Sequence, residues 1–287
     1  MERAERHYGG EEWQEYYVHT PSLVVRHNVL YPMQVGLFSY PRGSFIDRDS
    51  FDSFLVMLVL DGAFEVRVPG FGGVARSGHA VLLDCYARHR YQATEDSHAL
   101  WLHFDGPSAR FYYDRIVSGL GNVFEPDDHA AVRQEIEGIH RAFASGRGLS
   151  EMDLCGRIVG LLTRFALQAE RREPADSGFG GVRDVMAYIR LHPEERLSAD
   201  DLAALAHCSP RTLSRAFLGE TGYTVHAYVM EARLNAVKSR LVNTDDSLAR
   251  LCAVCGFSSP SALCAAFKKA VGMSPMDYRE RGAQRFL

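Results

Sequence analysis

The chain has 287 residues, enough for two domains with separate cores, and its 46% hydrophobic and 24% charged residues are those of an ordinary globular protein. Its longest apolar run, Phe54–Leu60, is seven residues, against the roughly 20 that a membrane-spanning helix needs. The net charge of −4 divides unevenly: from Gly181 onward 14 Lys+Arg face 11 Asp+Glu, net +3, while the remainder holds 18 against 25, net −7. A basic C-terminal part on an acidic N-terminal part fits one domain that meets a polyanion and one that does not.

The opening "MERAERHYGG" contains no apolar signal region, so a cytoplasmic protein is expected. From about residue 20 to 104 the chain reads as strands. "VGLFSY", "FLVMLVLDGAFEVRVPG", "AVLLDCY", "HRYQAT" and "HALWLHF" are short, rich in β-branched and aromatic residues, and punctuated by Gly, Pro and Asp. Asp61-Gly62 lies between two apolar runs, a hairpin signal. Many short strands of this kind predict an antiparallel sandwich or barrel.

The period then changes. Val132, Ile136, Ile139 and Phe143 recur at helical spacing, and so do Leu154, Ile158, Leu161 and Phe165. An antiparallel helical pair is expected, its apolar stripes covering either the β-domain or a second subunit. "ERREPADSGFGG", Glu170–Gly181, is polar and glycine-ended and reads as the interdomain linker. Everything after it is helical in period.

That last part repeats itself. Ser209, Pro210, Leu213, Phe217, Gly222 and Tyr228 recur 50 residues later as Ser259, Pro260, Leu263, Phe267, Gly272 and Tyr278. Leu202 and Ala206 recur as Leu251 and Cys255 at an offset of 49, so the two turns differ by one residue. A period of this size marks a duplicated supersecondary unit. In the first copy Ser198 caps a helix with Asp201 three residues on, a tight break "HCS" follows, and Ser209 caps a second helix with Pro210 at its first position. Leu213 and Phe217 face inward, leaving Arg211, Thr212, Ser214 and Arg215 outside. This is a helix-turn-helix. "TVHAYVMEARLNAVKSRLVNT" joins the copies, with Val225, Val229, Leu234, Val237 and Leu241 as its expected buried stripe. About 18 helical residues span roughly 27 Å, close to the roughly 34 Å between successive major grooves on one face of DNA.

Six cysteines in a chain without secretory features imply reduced thiols. Cys252 and Cys255 have the spacing of a zinc or redox pair. No second such pair or nearby His pair completes a tetrahedral site, and both occupy apolar positions of the repeat, where cysteine acts as a small hydrophobe. Neither a metal nor a cofactor is expected.

Residues 181–282, with "LSADDLAALAHCSPRTLSRAFLGETGYTVHAYVMEARLNAVKSRLVNT" and the closing Gly272-Met273-Ser274-Pro275 and Tyr278-Arg279, resemble the DNA-binding domain of the AraC/XylS family of transcription regulators. The resemblance implies two helix-turn-helix units, 198–219 and 247–270, joined by a helix over 225–242. It implies that Ser209, Arg211, Thr212, Ser214 and Arg215 of the first unit meet duplex DNA, with Arg211, Ser214 and Arg215 reading base edges. In the second unit Ser259, Ser261, Ala262 and Cys264 take that place, and Lys268 and Lys269 suit phosphate. Two positions depart from the family pattern. His207 stands where the turn often has glycine, and Ala265 stands where Arg215 would recur, so the first unit is expected to carry most of the direct sequence discrimination.

"FIDR", the "LDG" hairpin, "RSGHAVLL" and "WLHFDG" resemble the cupin-like effector domain of the arabinose-type members of the same family. The implied fold class is α+β in two domains. Residues 1–113 form a cupin-like barrel, 114–172 a helical pair, 173–181 a linker and 182–287 the DNA-binding domain. Ala99, Trp101 and His103 share one face of their strand. By resemblance Arg48, Tyr91 and Trp101 line a small-molecule site, to which His89 and His103 add polar contacts, and a sugar is the expected effector. A metal-dependent cupin enzyme is the rival class. It needs a His-x-His pair followed by Glu and His, and His79, His89, His98 and His103 do not supply that pattern. The chain is therefore read as a regulator rather than an enzyme: a homodimeric activator that meets promoter DNA and RNA polymerase and answers to a small molecule. A regulator with no metabolite ligand is the alternative within the class.

Overall fold

The computed structural model describes residues 14–146, 150–172 and 179–283. They form two compact units, Met1–Arg172 and Glu173–Leu287.

The first unit runs β1 (Gln14–Val18), α1 (Leu23–Asn28), β2 (Tyr31–Tyr40), β3 (Phe45–Arg48), β4 (Phe54–Asp61), β5 (Ala63–Val68), β6 (Phe71–Arg76), β7 (Ala80–Asp84), β8 (His89–Ala93), β9 (Ser97–Asp105), α2 (Ala109–Leu120), β10 (Val123–Phe124), α3 (His129–Ala144) and α4 (Glu151–Arg172). Two antiparallel sheets face each other, one ordered β1-β2-β9-β4-β7-β10 and the other β3-β8-β5-β6. Helices α2 to α4 cover the free face of the larger sheet.

Strand alternation sorts the residues into two cores. On β4 and β9, Phe54, Val56, Leu58, Leu100, Leu102 and Phe104 pack beneath the helices. Leu55, Met57, Val59, Ala99 and Trp101 face the smaller sheet. A strand buried on both faces has no polar position to alternate, which is why Phe54–Leu60 is apolar throughout. The hairpin at Asp61-Gly62 forms, with Gly62 at φ 74.

The helical stripes cover the sheet. Val132, Ile136, Ile139, Phe143, Leu154, Ile158, Leu161 and Phe165 all join the core beneath the large sheet. The expected helical pair is three helices, because α2 runs across the boundary drawn at 113/114. Its Gly119 lies against Ala169 of α4, where a Cβ would come within 2.9 Å of that residue.

The second unit is all helical: α5 (Phe179–Leu191), α6 (Ala199–Leu205), α7 (Pro210–Thr221), α8 (Val225–Asn243), α9 (Leu248–Cys255), α10 (Pro260–Val271) and α11 (Pro275–Ala283). The linker expected over 173–181 lies outside the described residues as far as Gly178. Its last three residues belong to α5, because Gly181 packs onto Ala206, 2.7 Å from where its Cβ would be.

Two small cores lie along α8. The first gathers Val182, Val185 and Ile189 of α5 with Leu202, Leu213, Phe217 and Val229. The second gathers Leu234, Val237 and Leu241 with Leu251, Cys255, Leu263 and Phe267. At about 3.6 residues per turn, the two faces that α8 buries lie roughly 140° apart around its axis. Cys252 and Cys255 are core residues of the second bundle, and burial raises both thiols above the ordinary range.

Candidate nucleic-acid interface and effector cavity

The two helix-turn-helix units are built by the same local chemistry. Ser198 and Ser247 cap α6 and α9, their hydroxyls accepting from the amides of Asp201 and Arg250. Ser209 and Ser259 cap α7 and α10, accepting from Thr212 and Ala262 at 3.2 Å each, with Pro210 and Pro260 at the first helical positions. Each helix ends on a left-handed glycine, Gly222 at φ 71 and Gly272 at φ 83, a conformation glycine adopts without a Cβ penalty. The duplication extends to tertiary contacts. Phe217 meets Tyr228 edge-to-face at 5.3 Å, and Phe267 meets Tyr278 the same way at 5.4 Å.

Arginines clamp the connections. Arg233 donates to the carbonyls of Pro193 and Glu195 between α5 and α6. Arg279 donates to that of Leu241 in the last turn of α8 and that of Asp246 between α8 and α9. The spacing of Val182, Val185 and Ile189 on α5 matches that of Leu234, Val237 and Leu241 on α8. Each repeat is thus a three-helix unit, and α8 leads the second while closing the first.

The outer faces differ. On α7, Arg211, Ser214 and Arg215 are exposed while Thr212 is half-buried, its hydroxyl 2.8 Å from that of Ser209. No described residue pairs with Arg211 or Arg215. On α10, Ser261, Ala262, Ala265, Lys268 and Lys269 are exposed. Cys264, expected on this face, turns instead onto the second core and is half-buried. Ser209 and Ser259 serve first as caps. The turn in the first unit passes through His207 at φ 51, as the missing glycine implied, and in the second through Gly256 at φ 74.

The space between the sheets holds all five residues expected at an effector site. Arg48 and His89 are cross-strand partners, as are Ile46 and Tyr91. Across the large sheet one row runs Tyr16, Gly36, Trp101, Met57 and Val81. Gly36 is required there, since a Cβ would come within 2.4 Å of the Trp101 ring and 2.8 Å of Tyr16. The Arg48 guanidinium lies over Phe51 at 4.8 Å, and Phe51 meets His103 edge-on at 4.8 Å. His103 meets Trp101 at 5.6 Å, and Trp101 meets Phe38 at 5.1 Å. The Tyr40 and Tyr91 hydroxyls lie close enough to influence each other's ionisation. Phe38, Tyr40, Ile46 and Phe51 pack against this core and remain half-buried.

Burial sets the protonation of the group. It pushes His103 down to about 3, with the charges of Arg48 and His89 acting in the same direction, and lowers His89 as well. It raises the Tyr40 and Tyr91 hydroxyls and pushes the Cys85 thiol up to about 12. At neutral pH the histidines and tyrosines here are uncharged, and Arg48 supplies the cation. The His103 Nδ1 is 2.8 Å from the Ser53 hydroxyl. Trp101 is only 7% exposed, and its Nε1–H is buried without a hydrogen-bond partner.

The profile of the AraC-like ligand binding domain matches residues 31–156, and that of a helix-turn-helix domain matches residues 202–281. The chain belongs to the AraC/XylS family of transcription regulators. Among its relatives in that family, the transcriptional activator NphR of Rhodococcus is 29% identical over 259 residues, 83% of this chain and 73% of that protein. The xylose operon regulatory protein of Escherichia coli K12 is 29% identical over 106 residues, 37% of this chain and 27% of that protein. The DNA-binding domain of AdpA, solved with a target DNA, is 31% identical with a TM-score of 0.36, covering 37% of this chain and 95% of that one. Like other members of the family, the chain is a DNA-binding transcription regulator with a ligand-binding domain, not an enzyme. No described helix is long and apolar enough by itself to cross a membrane.

Proposed function

We propose that the chain is a homodimeric transcription activator. Its α7 reads operator bases, and its β-sandwich binds a small-molecule effector. The observation that carries the DNA reading is the exposed Arg211–Ser214–Arg215 face on a helix held by its own cap and core. Arginine forks match guanine O6 and N7, whereas Ala262 and Ala265 offer only apolar contact, suited to a thymine methyl. Lys268, Lys269 and the N-termini capped by Ser209 and Ser259 suit phosphate. Activation follows the description of the NphR relative as a transcriptional activator, and contact with RNA polymerase is proposed with it.

The dimer reading rests on α4. Met152, Val159 and Leu167 are exposed on one side of this helix, with Gly156, Gly160 and Thr163 between them. The stripe is symmetric about its midpoint: Met152 mirrors Leu167, Gly156 mirrors Thr163, and Val159 mirrors Gly160. Glycine inside a helix costs about 1 kcal/mol relative to alanine. Among the described residues, nothing outside the adjoining stretch of α4 lies within 4 Å of a Cβ built at Gly156 or Gly160. A second α4 running antiparallel would use both glycines for close approach, as an isologous interface requires. Val159→Arg is expected to yield a folded monomer by light scattering, and an unchanged mass rejects this face.

The effector reading rests on Arg48, His89, Tyr91, Trp101 and His103 converging between the sheets. A sugar suits this set, since the Trp101 indole offers a stacking face and Arg48 with the neutral histidines and tyrosine offers donors and acceptors for its hydroxyls. Fluorescence anisotropy of the full chain on promoter fragments tests the DNA function. Binding should weaken steeply with salt, and salt-insensitive or absent binding on every fragment sinks the proposal.

A further inference from the structure

The two helix-turn-helix units carry different charge, a contrast that extends the DNA reading above and rests on it. Segment 198–219 holds Asp200, Asp201, Arg211 and Arg215, net 0. Segment 247–270 holds Arg250, Lys268 and Lys269 and no acid, net +3. The unit whose α10 presents alanines to base edges is therefore the more basic of the two. Positive charge without a fork aimed at a base suits phosphate, which fixes position and carries no sequence information. The difference is sharpest on the first helix of each unit, the one that crosses the DNA backbone when the second enters the major groove. On α6 the exposed charges are Asp200 and Asp201; on α9 the exposed residues are Ala249, Arg250 and Ala253, so one guanidinium is its whole charge. Arg250 stands 49 residues after Asp201, the offset that relates α9 to α6. The Ser198 hydroxyl accepts from the Asp201 amide and donates to its carboxylate, and an acid is favoured at this positive end of a helix. Arg250 meets the Ser247 cap through its backbone amide alone, and its cation gains nothing from the helix dipole there. Among the described residues no side chain hydrogen-bonds or ion-pairs with it. Asp246, just upstream, is held by Arg240 at 2.8 Å and feels Arg250 as a further positive charge.

We propose that the second unit anchors the chain to the phosphate backbone and that Arg250 is the contact α9 makes there. Its guanidinium takes a phosphate through parallel N–H donors, and Lys268 and Lys269 add charge along α10. The first unit, with two acids on α6, leaves the backbone grip to the second and discriminates through α7.

Fluorescence anisotropy of the full chain over a range of salt, on the tightest-binding promoter fragment and on a scrambled duplex of equal length, tests this. Arg250→Ala should weaken both complexes alike, by about threefold to tenfold, and lower the salt slope by about one. Arg250→Lys, which keeps the charge, should retain most of the affinity and the full slope. Arg250→Glu, which gives α9 the kind of charge α6 has, should lose more than Arg250→Ala on both duplexes. Arg215→Ala, by contrast, should lose chiefly on the promoter fragment. Thermal unfolding reports whether each variant folds, and either folded variant that removes the Arg250 charge gives the reading. Unchanged affinity and slope in that variant overturn the anchor, while salt-sensitive binding by the unsubstituted chain leaves the DNA function standing. A loss confined to the promoter fragment at unchanged slope overturns it too, since Arg250 would then read bases. Absence of salt-sensitive binding by the unsubstituted chain overturns both.

Discussion

In the first helix-turn-helix unit the turn passes through His207 at φ 51, and α7 presents two arginines; in the second it passes through Gly256 at φ 74, and α10 presents alanines. The cores, caps and Phe–Tyr contacts are the same in both. A left-handed turn tolerates histidine where its side chain reaches solvent, and His207 is exposed. At Gly256 a Cβ would fall 2.2 Å from the Pro193 carbonyl oxygen and 2.7 Å from Arg233 Nε. The second turn is pressed against the loop of the first unit at Gly256, whereas His207 is open to solvent. The duplicated skeleton is held by buried positions, while the surface of each copy is free to diverge toward its own task.

The largest test of this difference is Gly256→Ala. It should cost about 3 kcal/mol in urea unfolding, because it adds left-handed strain to a backbone clash; His207→Ala should cost far less. Equal losses would break the comparison. Next, Arg215→Ala should lose about 1–3 kcal/mol on the preferred site and relax its sequence preference. Ala265→Ser, at the matching position of α10, should change binding by less than about 0.5 kcal/mol. A competition titration against scrambled DNA separates these outcomes, and an equal loss from both changes would end the division of labour between the heads.

Ser209→Ala and Ser259→Ala should each cost about 1 kcal/mol of stability, since the same cap is removed twice. A large inequality would show that the copies are not locally equivalent. Smallest of all, His207→Gly should gain about 0.5 kcal/mol, the relief of left-handed strain less the added freedom of glycine in the unfolded chain. A loss in thermal unfolding would mean that the histidine ring makes a contact the turn needs.

Much of this was legible in the sequence because it is local. Ser-Pro starts, glycine ends and inward residues four apart fix α7 and α10 through backbone hydrogen bonding within a few residues, and the 50-residue offset exposes their duplication. Strand alternation likewise placed Trp101 and His103 on one face and Leu100, Leu102 and Phe104 on the other. Three features were not legible. The helix α5 looked like the end of a linker, because glycines at 180 and 181 read as breakers until Gly181 is seen against Ala206. The boundary at 113/114 cut α2, whose partner Ala169 is 50 residues away from Gly119. Cys264 looked outward by its offset from Ser214, but a small apolar side chain on the shoulder of α10 turns to the core.

The sequence by itself determined which segments become helices and strands, that one unit occurs twice, and which side chains are available to meet DNA. The tertiary structure decided that the helical stripes serve the sheet and that α8 buries different faces at its two ends. It also decided that Arg48 and Trp101, distant in the chain, face the same interior between the two sheets. Periodicity and caps are written into neighbours a few residues apart. Convergence of donors depends on sheet register and closure, which only long-range packing sets.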